Sequence, residues 1–264
     1  MNYLDPDMIE AWAHYQGEAG GKLSAYFHDE WGEILVVSHK RQRILTFDAR
    51  NEQSSMDIKR PHYLQHDYTQ AMMLGLIFAE AKSVVILGVG GGCLLRALHY
   101  AFPHLPIQAV ELREKVVEAA EHFFGLPKAP HIDLIIGDAQ DWLAQAAPAS
   151  ASHLFADLFL TDGFVDYQLH RRFISHASRT LTEDGCLILN LHHQPNPSSD
   201  FVCLLRAYFP SLFWANVDSG NTLLFASRKT PVQVESIAWE EDVIELGERL
   251  DLSLDRMLSR LECL

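Results

Sequence analysis

The sequence predicts an α/β protein with a doubly wound, mostly parallel sheet, preceded by a small antiparallel β unit. Three observations lead to this fold class. From residue 84 onwards, short apolar runs alternate with stretches of helical periodicity; the first of these runs ends in a glycine-rich turn; and hairpin-like runs without helices precede residue 60. Strands that alternate with helices are typical of a parallel sheet covered by helices on both faces.

The chain is organised around the stretch SVVILGVGGGCLLR, residues 83–96. Val84–Leu87 is an apolar, β-branched run of the kind found in strands buried on both faces. Gly88, Gly90 and Gly92 follow, and helical spacing begins directly after them. Glycine lets the backbone approach a ligand closely, and the first turn of a helix offers free N–H groups. The stretch therefore predicts a nucleotide-binding turn.

Glu111 supports a nucleotide site, because it closes the next apolar run about 20 residues on, where an acid can hold ribose hydroxyls. The dinucleotide pattern G-x-G-x-x-G would end at Cys93, which is not glycine. The form Gly88-x-Gly90-x-Gly92 is similar to the loop of S-adenosylmethionine-dependent methyltransferases and their relatives. The loop alone does not decide between the two cofactor classes.

The strand pattern near the end of the chain decides between the two cofactor classes. Residues 212–217 and 222–227 are two strand-like runs joined by only four residues, 218–221. Such a short connection joins antiparallel neighbours, because a parallel crossover needs about a dozen residues or more. We therefore predict a mostly parallel seven-stranded sheet of the S-adenosylmethionine-dependent methyltransferase type, with one reversed strand.

We predict two domains with a boundary at residue 60. Residues 1–60 form a small antiparallel β N-terminal domain, which Pro61 closes, and helical periodicity starts at Tyr63. Residues 61–264 form an adenosylmethionine-type Rossmann-like domain with C-terminal helices, predicted at 240–247 and 252–261. These last helices either cap the sheet or form a homodimer contact.

Composition narrows the range of partners. The net charge of −14 argues against a non-specific nucleic-acid partner and against an anionic membrane surface. No apolar run reaches the length of a membrane span, and no apolar run near the N-terminus follows a basic segment. We therefore expect a cytoplasmic protein with a small-molecule substrate. The fourteen histidines show no metal-ligand spacing, so we expect no metal site.

Residues 32–191 resemble the spermidine synthases (polyamine aminopropyltransferases) and their spermidine synthase-like relatives. The segments that carry the resemblance occur in the family's order and read GEILVVSHKRQRILTFD, YLQHDYTQAMM, ILGVGGGCLLR, VEL, IIGDA and ADLF. The resemblance implies a transferase of polyamine biosynthesis that binds S-adenosylmethionine or its decarboxylated form. It implies transfer of an aminopropyl group to a diamine such as putrescine.

The resemblance also implies a set of site residues. Asp157 is the candidate catalytic residue, at a strand end where doubly wound folds place ligands; it is a general base or it binds a charged substrate. Tyr68 and Asp162 are candidate substrate-binding residues, although Tyr68 also fits a core position. Candidate donor-binding residues are Gln53, Gly88, Gly90, Gly92, Glu111, Asp138 and Ala139. Asp138 has a second interpretation as a helix cap.

Three departures from the family pattern bear on the reaction. Gly91 stands where the glycine loop of the family carries an aspartate, Leu160 replaces the second aspartate of D-x-x-D-P, and Arg113 replaces an acid. An aspartate at residue 91 would repel the carboxylate of ordinary S-adenosylmethionine, whereas glycine would free N–H groups for it. Gly91 thus predicts that the unmodified donor is accepted. Methyl transfer, or an inactive binding protein on the same fold, are the alternatives to aminopropyl transfer.

Overall fold

The computed structural model describes residues 21–47, 52–160, 163–164, 166–229 and 237–264. These residues form a five-stranded antiparallel sheet, a mostly parallel eight-stranded sheet and a two-stranded hairpin. The fold class predicted from the sequence is confirmed. In the described ranges, no helix is long and apolar enough to cross a membrane.

The antiparallel sheet pairs its five strands in chain order. They are β1 (Lys22–Asp29), β2 (Gly32–His39), β3 (Gln42–Thr46), β4 (Glu52–Asp57) and β5 (Arg60–Leu64). Pro61 does not close this unit, as the sequence analysis expected, but lies inside β5. Because β5 is an edge strand, the missing N–H of proline is tolerated there. The sheet thus extends beyond residue 60, to Leu64.

The large sheet has the strand order β15-β13-β14-β12-β9-β6-β7-β8. The strands after β5 are β6 (Val84–Leu87), β7 (Ile107–Glu111), β8 (Ile132–Ile136), β9 (Ala151–Ala156), β10 (Phe159–Leu160), β11 (Gly163–Phe164), β12 (Leu181–Leu191), β13 (Ser211–Asn216), β14 (Thr222–Ser227) and β15 (Leu261–Cys263). β14 is antiparallel to both β12 and β13, which confirms the reversed strand. β10 and β11 form the separate hairpin.

The eighth strand corrects one prediction. The helix expected over 252–261 is present only as a short turn of helix, and the chain then pairs as β15 with β13. Leu261 is buried in the core, and Trp214 of β13 donates its indole N–H to Glu262 at 3.1 Å. The amphipathic pattern over 252–261 therefore does not continue as a helix to its last residue. The chain forms an edge strand from Leu261 instead, because β13 offers unpaired backbone groups that β15 can bond.

Helices cover both faces of the large sheet. In chain order they are α1 (Asp67–Met72), α2 (Cys93–Ala101), α3 (Glu114–Phe123), α4 (Ala139–Gln145), α5 (Arg171–Thr180), α6 (Asp200–Tyr208), α7 (Ile237–Leu250) and α8 (Asp255–Leu258). α1 begins at Asp67 rather than at Tyr63, because residues 60–64 are taken by β5. Buried apolar side chains fill one cluster on each face of this sheet.

Arg113 joins the antiparallel sheet to the large sheet. Its guanidinium donates to both carboxylate oxygens of Asp29, at 2.8 and 3.0 Å, and to the carbonyl of Gly32 at 2.8 Å. The same group lies over the ring of Phe47, 4.5 Å from its centroid. The Arg113 side chain is only 2% exposed, so this ion pair is shielded from water. It holds the β1–β2 hairpin against the end of β7.

Removing one partner of this pair tests its contribution to folding. Asp29→Ala leaves the Arg113 guanidinium buried without a counter-charge, and we expect the free energy of unfolding to fall by about 3 kcal/mol. Urea denaturation followed by circular dichroism measures this change. Glu80→Ala is the control, because its pair with Lys82 is 77% and 71% exposed, and it should cost less than about 1 kcal/mol. Equal losses of unfolding free energy in Asp29→Ala and Glu80→Ala would contradict the contribution assigned to the Arg113–Asp29 pair.

Candidate functional site

A cleft opens where the carboxyl ends of β6, β7, β8 and β9 meet, and the antiparallel sheet forms its other wall. Clefts at the carboxyl ends of parallel strands are where α/β sheets commonly bind small molecules. The lining residues are Trp31, Phe47, Gln53, Ser54, Tyr68, Gly88, Val89, Gly90, Val110, Glu111, Leu112, Arg113, Gly137, Asp138, Ala139, Asp157, Leu158 and Phe159. Eight of the ten predicted site residues are among them. Gly92 is not, and Asp162 lies outside the described residues.

The glycine turn brings β6 and β9 into close approach. Gly88 has a φ of +87°, and a Cβ there would lie 2.1 Å from the carbonyl oxygen of Asp157. Only glycine allows this approach. Gly92 serves the packing of α2, since a Cβ on it would lie 2.3 Å from Leu126. The turn thus sets the distance between the glycine loop and Asp157.

Glu111 holds the glycine turn in place. Its Oε2 accepts the N–H groups of Val89 at 2.9 Å and Gly90 at 3.1 Å, and its Oε1 accepts that of Arg113 at 3.1 Å. A carboxylate has about four acceptor positions, so these three bonds leave one for a ligand. Glu111 therefore fixes the loop and also presents a carboxylate to the cleft.

Gly91 does not have the role predicted for it. Its N–H donates to the hydroxyl of Ser54 at 2.9 Å, and a Cβ on it would lie 2.8 Å from the Cβ of Ser54 and 3.2 Å from Phe124. Gly91 is not among the lining residues. The prediction that it frees an N–H for the carboxylate of the donor is therefore wrong, because β4 supplies a serine that already uses this N–H.

Asp138, Ala139 and Gln53 are three of the predicted donor-binding residues, and all three line the cleft. Asp138 caps α4, with its Oδ1 accepting the N–H groups of Gln140 at 2.7 Å and Asp141 at 3.3 Å. The capping interpretation of Asp138 is thus confirmed. Because Asp138 also lines the cleft, it remains available to a ligand. Gln53 enters from β4, and Ala139 is the first residue of α4.

Asp157 follows β9 directly and lies in a hydrogen-bonded network. Asn190 donates its side-chain amide to Oδ1 of Asp157 at 2.8 Å, and the hydroxyl of Tyr68 also bonds the carboxylate. Burial raises the pKa of Asp157 to about 6; the bonds from Asn190 and Tyr68 oppose this rise, and the charge of Glu111 adds to it. Burial likewise raises the pKa of Tyr68 well above its usual value.

Asn190 is a functional candidate that the sequence analysis missed. It is fully buried on β12, its side-chain oxygen accepts from Asn221 at 2.9 Å, and its carbonyl accepts from Gln168 at 3.3 Å. These contacts fix the amide that bonds Asp157. The available signal was a single polar residue inside the apolar run LILNL. A buried polar side chain needs a partner, and here the partner is the catalytic candidate.

The charges of the cleft are mainly negative. Glu111, Asp138 and Asp157 are carboxylates, and Arg113 is the single cationic side chain among the described lining residues. Arg113 is already paired with Asp29. Within the described residues, no group of three or more histidine, cysteine, aspartate or glutamate side chains is arranged to hold a metal ion.

The contact between Asn190 and Asp157 predicts a measurable shift. Asn190→Leu removes a bond to the ionised carboxylate, so we expect the pKa of Asp157 to rise above about 6. NMR titration of the carboxyl carbon measures this value, and thermal unfolding verifies the fold. Asn216→Leu is the control, because this neighbouring amide bonds Gln194 and not Asp157. An unchanged midpoint in Asn190→Leu would argue against the contact.

The chain is similar to proteins of two kinds, and no family model matches it. It is 25% identical over 239 residues to the polyamine aminopropyltransferase of Chromobacterium violaceum, with 87% of this chain and 89% of that protein covered. It is 25% identical over 221 residues to the human eEF1A lysine and N-terminal methyltransferase, with 72% of this chain and 31% of that protein covered.

Solved structures show the same two kinds of neighbour. A probable spermidine synthase from Corynebacterium glutamicum matches with a TM-score of 0.73 and 17% identity, covering 86% of this chain and 88% of that one. Human methyltransferase-like protein 13 in complex with SAH matches with a TM-score of 0.59 and 23% identity, covering 74% of this chain and 93% of that one. These likenesses confirm the methyltransferase-type fold and the resemblance to spermidine synthases. Both groups of sequence relatives are transferases, in agreement with the predicted class of enzyme.

Proposed function

We propose that this divergent spermidine synthase-like chain transfers an alkyl group from an adenosylmethionine-type sulfonium to an amine. The donor is decarboxylated S-adenosylmethionine, and the alkyl group is aminopropyl. The acceptor is an amine, with a diamine such as putrescine as the first to test. One observation carries the proposal: Asp157, with its pKa raised to about 6, stands at the cleft beside the glycine turn. The similarity to polyamine aminopropyltransferases supports it.

Asp157 supplies the step that an amine acceptor requires. An amine is cationic near neutral pH, and it must lose a proton before its lone pair can attack. Above pH 6 most of Asp157 is ionised, so its carboxylate attracts the ammonium group and takes the proton. The nitrogen then bonds the carbon beside the sulfonium, the C–S bond breaks, and its electron pair returns to sulfur as a neutral thioether. Asn190 and Tyr68 hold the carboxylate during this step.

The charges of the cleft support the decarboxylated donor. Ordinary S-adenosylmethionine brings a carboxylate, and the one cation among the described lining residues, Arg113, is occupied by Asp29. The decarboxylated donor carries positive charge without that carboxylate, so three acidic side chains in the cleft attract it. In this proposal Glu111 binds the ribose and Asp138 the adenine, with Gln53, the glycine turn and Ala139 around them.

Methyl transfer from S-adenosylmethionine is the second candidate. Leu160 stands where the family pattern has its second acid, and the chain is similar to a lysine and N-terminal methyltransferase. Such acceptors are also amines, and Asp157 would remove their proton in the same way. The two reactions therefore differ in the donor and in the group transferred.

Donor titration and product analysis test the proposal together. By calorimetry, we expect the decarboxylated donor to bind more tightly than S-adenosylmethionine, by about 1–2 kcal/mol. With putrescine, mass spectrometry should detect the aminopropylated product. Asp157→Asn should lower turnover by about 100-fold or more, because it removes the base, and should leave the dissociation constant of 5′-methylthioadenosine within about threefold.

Three other results would each contradict the proposal in its own way. A preference for S-adenosylmethionine, with a methylated amine as product, would establish the second candidate. Full turnover by Asp157→Asn would remove Asp157 from the reaction. Failure of every donor and of 5′-methylthioadenosine to bind at millimolar concentration would leave a catalytically inactive protein on an enzyme fold.

A further inference from the structure

Trp31 is an aromatic side chain that is partly exposed and also lines the cleft. It is 42% exposed, at the tip of the β1–β2 hairpin, and it lines the cleft. The large apolar side chains that are exposed in the described part of the chain are Trp31, Ile58, Tyr100, Ile136 and Ile244. Trp31 is the one among these five that lines the cleft. Trp31 therefore contributes aromatic surface to the cleft.

The backbone of Trp31 is held firmly although its side chain is exposed. Its N–H donates to Oδ1 of Asp29 at 2.9 Å, and the same carboxylate is bound at both oxygens by Arg113. Arg113 also bonds the carbonyl of Gly32, the residue after Trp31. Arg113 lies two residues beyond Glu111, whose carboxylate accepts its N–H. The hairpin tip is therefore fixed relative to the carboxylate that fixes the glycine turn.

Both walls of the cleft mix polar and apolar side chains, and each adds a kind of group that a nucleoside can contact. The antiparallel sheet contributes the aromatic rings of Trp31 and Phe47, and the large sheet contributes Glu111 and Asp138. A nucleoside has matching parts, since its base is a flat ring and its ribose and base edges carry hydrogen-bonding groups. Aromatic side chains stack on any base, because every base has a π-face. The indole of Trp31 therefore complements the face of a nucleoside, and the carboxylates of Glu111 and Asp138 complement its polar edges.

We infer that Trp31 is a binding residue for the nucleoside part of the donor, with its indole covering the base or ribose in the cleft. This rests on the proposed function, because it takes the ligand to be an adenosine derivative. The role is in binding, and Trp31 takes no part in the proton transfer at Asp157. It also explains why β1 and β2 are tied to Arg113: a loose hairpin would not present the indole to the ligand.

The test uses 5′-methylthioadenosine, which carries the nucleoside without the sulfonium charge or the amine. Calorimetry on wild type, Trp31→Ala and Trp31→Phe gives the dissociation constants. We expect Trp31→Ala to bind at least tenfold more weakly and Trp31→Phe to stay within about threefold of wild type, because phenylalanine keeps a stacking face. Ile58→Ala is the matched control, since Ile58 is 46% exposed at a turn of the same sheet but does not line the cleft. It should bind as wild type does.

Tryptophan fluorescence gives a second readout that a general loss of structure would not imitate. Ligand binding should change the emission of wild type, and this change should be absent or much smaller in Trp31→Phe, although that variant still binds by calorimetry. If Trp31→Ala binds 5′-methylthioadenosine as tightly as wild type does, the inference about Trp31 is overturned while the proposed function stands. The same holds if the only effect of Trp31→Ala is a change in the oligomeric mass of the protein. No binding of 5′-methylthioadenosine by wild type would overturn the proposed function as well.

Discussion

The carboxylate of Glu111 is the group on which the rest of the site depends. It accepts three backbone N–H groups, two from the glycine turn after β6 and one from Arg113, the residue before α3. Bonds between a charged acceptor and backbone donors are among the stronger ones in proteins. The turn after β6 and the end of β7 are therefore fixed together, and through Arg113 the antiparallel sheet is fixed to both.

This arrangement also accounts for the properties of Asp157. The glycine turn lets β6 approach the backbone of Asp157, which brings that carboxyl close enough to Glu111 for their charges to interact. Burial raises the pKa of Asp157, while Asn190 and Tyr68 oppose the rise. The balance leaves a carboxylate that is ionised at neutral pH but still basic enough to accept a proton from an ammonium group. A general base for an amine acceptor needs both properties.

Much of the fold follows from patterns that are local in sequence. The apolar run Val84–Leu87, the glycines after it and the four-residue connection before β14 each specify their own structure, so the sheet type was predictable. The end of the chain was not. Residues 261–263 pair with β13, and this depends on an edge that forms nearly fifty residues earlier in the chain. Helical periodicity carries no information about such an edge.

The predicted site residues likewise follow from local patterns, whereas the missed ones depend on contacts between distant parts of the chain. Glu111 and Asp157 follow strands of a parallel sheet, and the carboxyl ends of such strands meet at one edge. Gly91 was misread because Ser54, which occupies the space beside it, comes from a different sheet. Asn190 and Trp31 reach the site through β12 and through the β1–β2 hairpin. Only the packed structure brings them to Asp157 and to the cleft.

The pH dependence of single-turnover transfer tests the central claim most directly. With decarboxylated S-adenosylmethionine and putrescine, the rate should fall as the pH drops through about 6, because protonation of Asp157 removes the base. This acidic limb should be lost in Asp157→Asn and should move to higher pH in Asn190→Leu. A limb that keeps its midpoint in both variants would show that another group titrates, and would contradict Asp157 as the base.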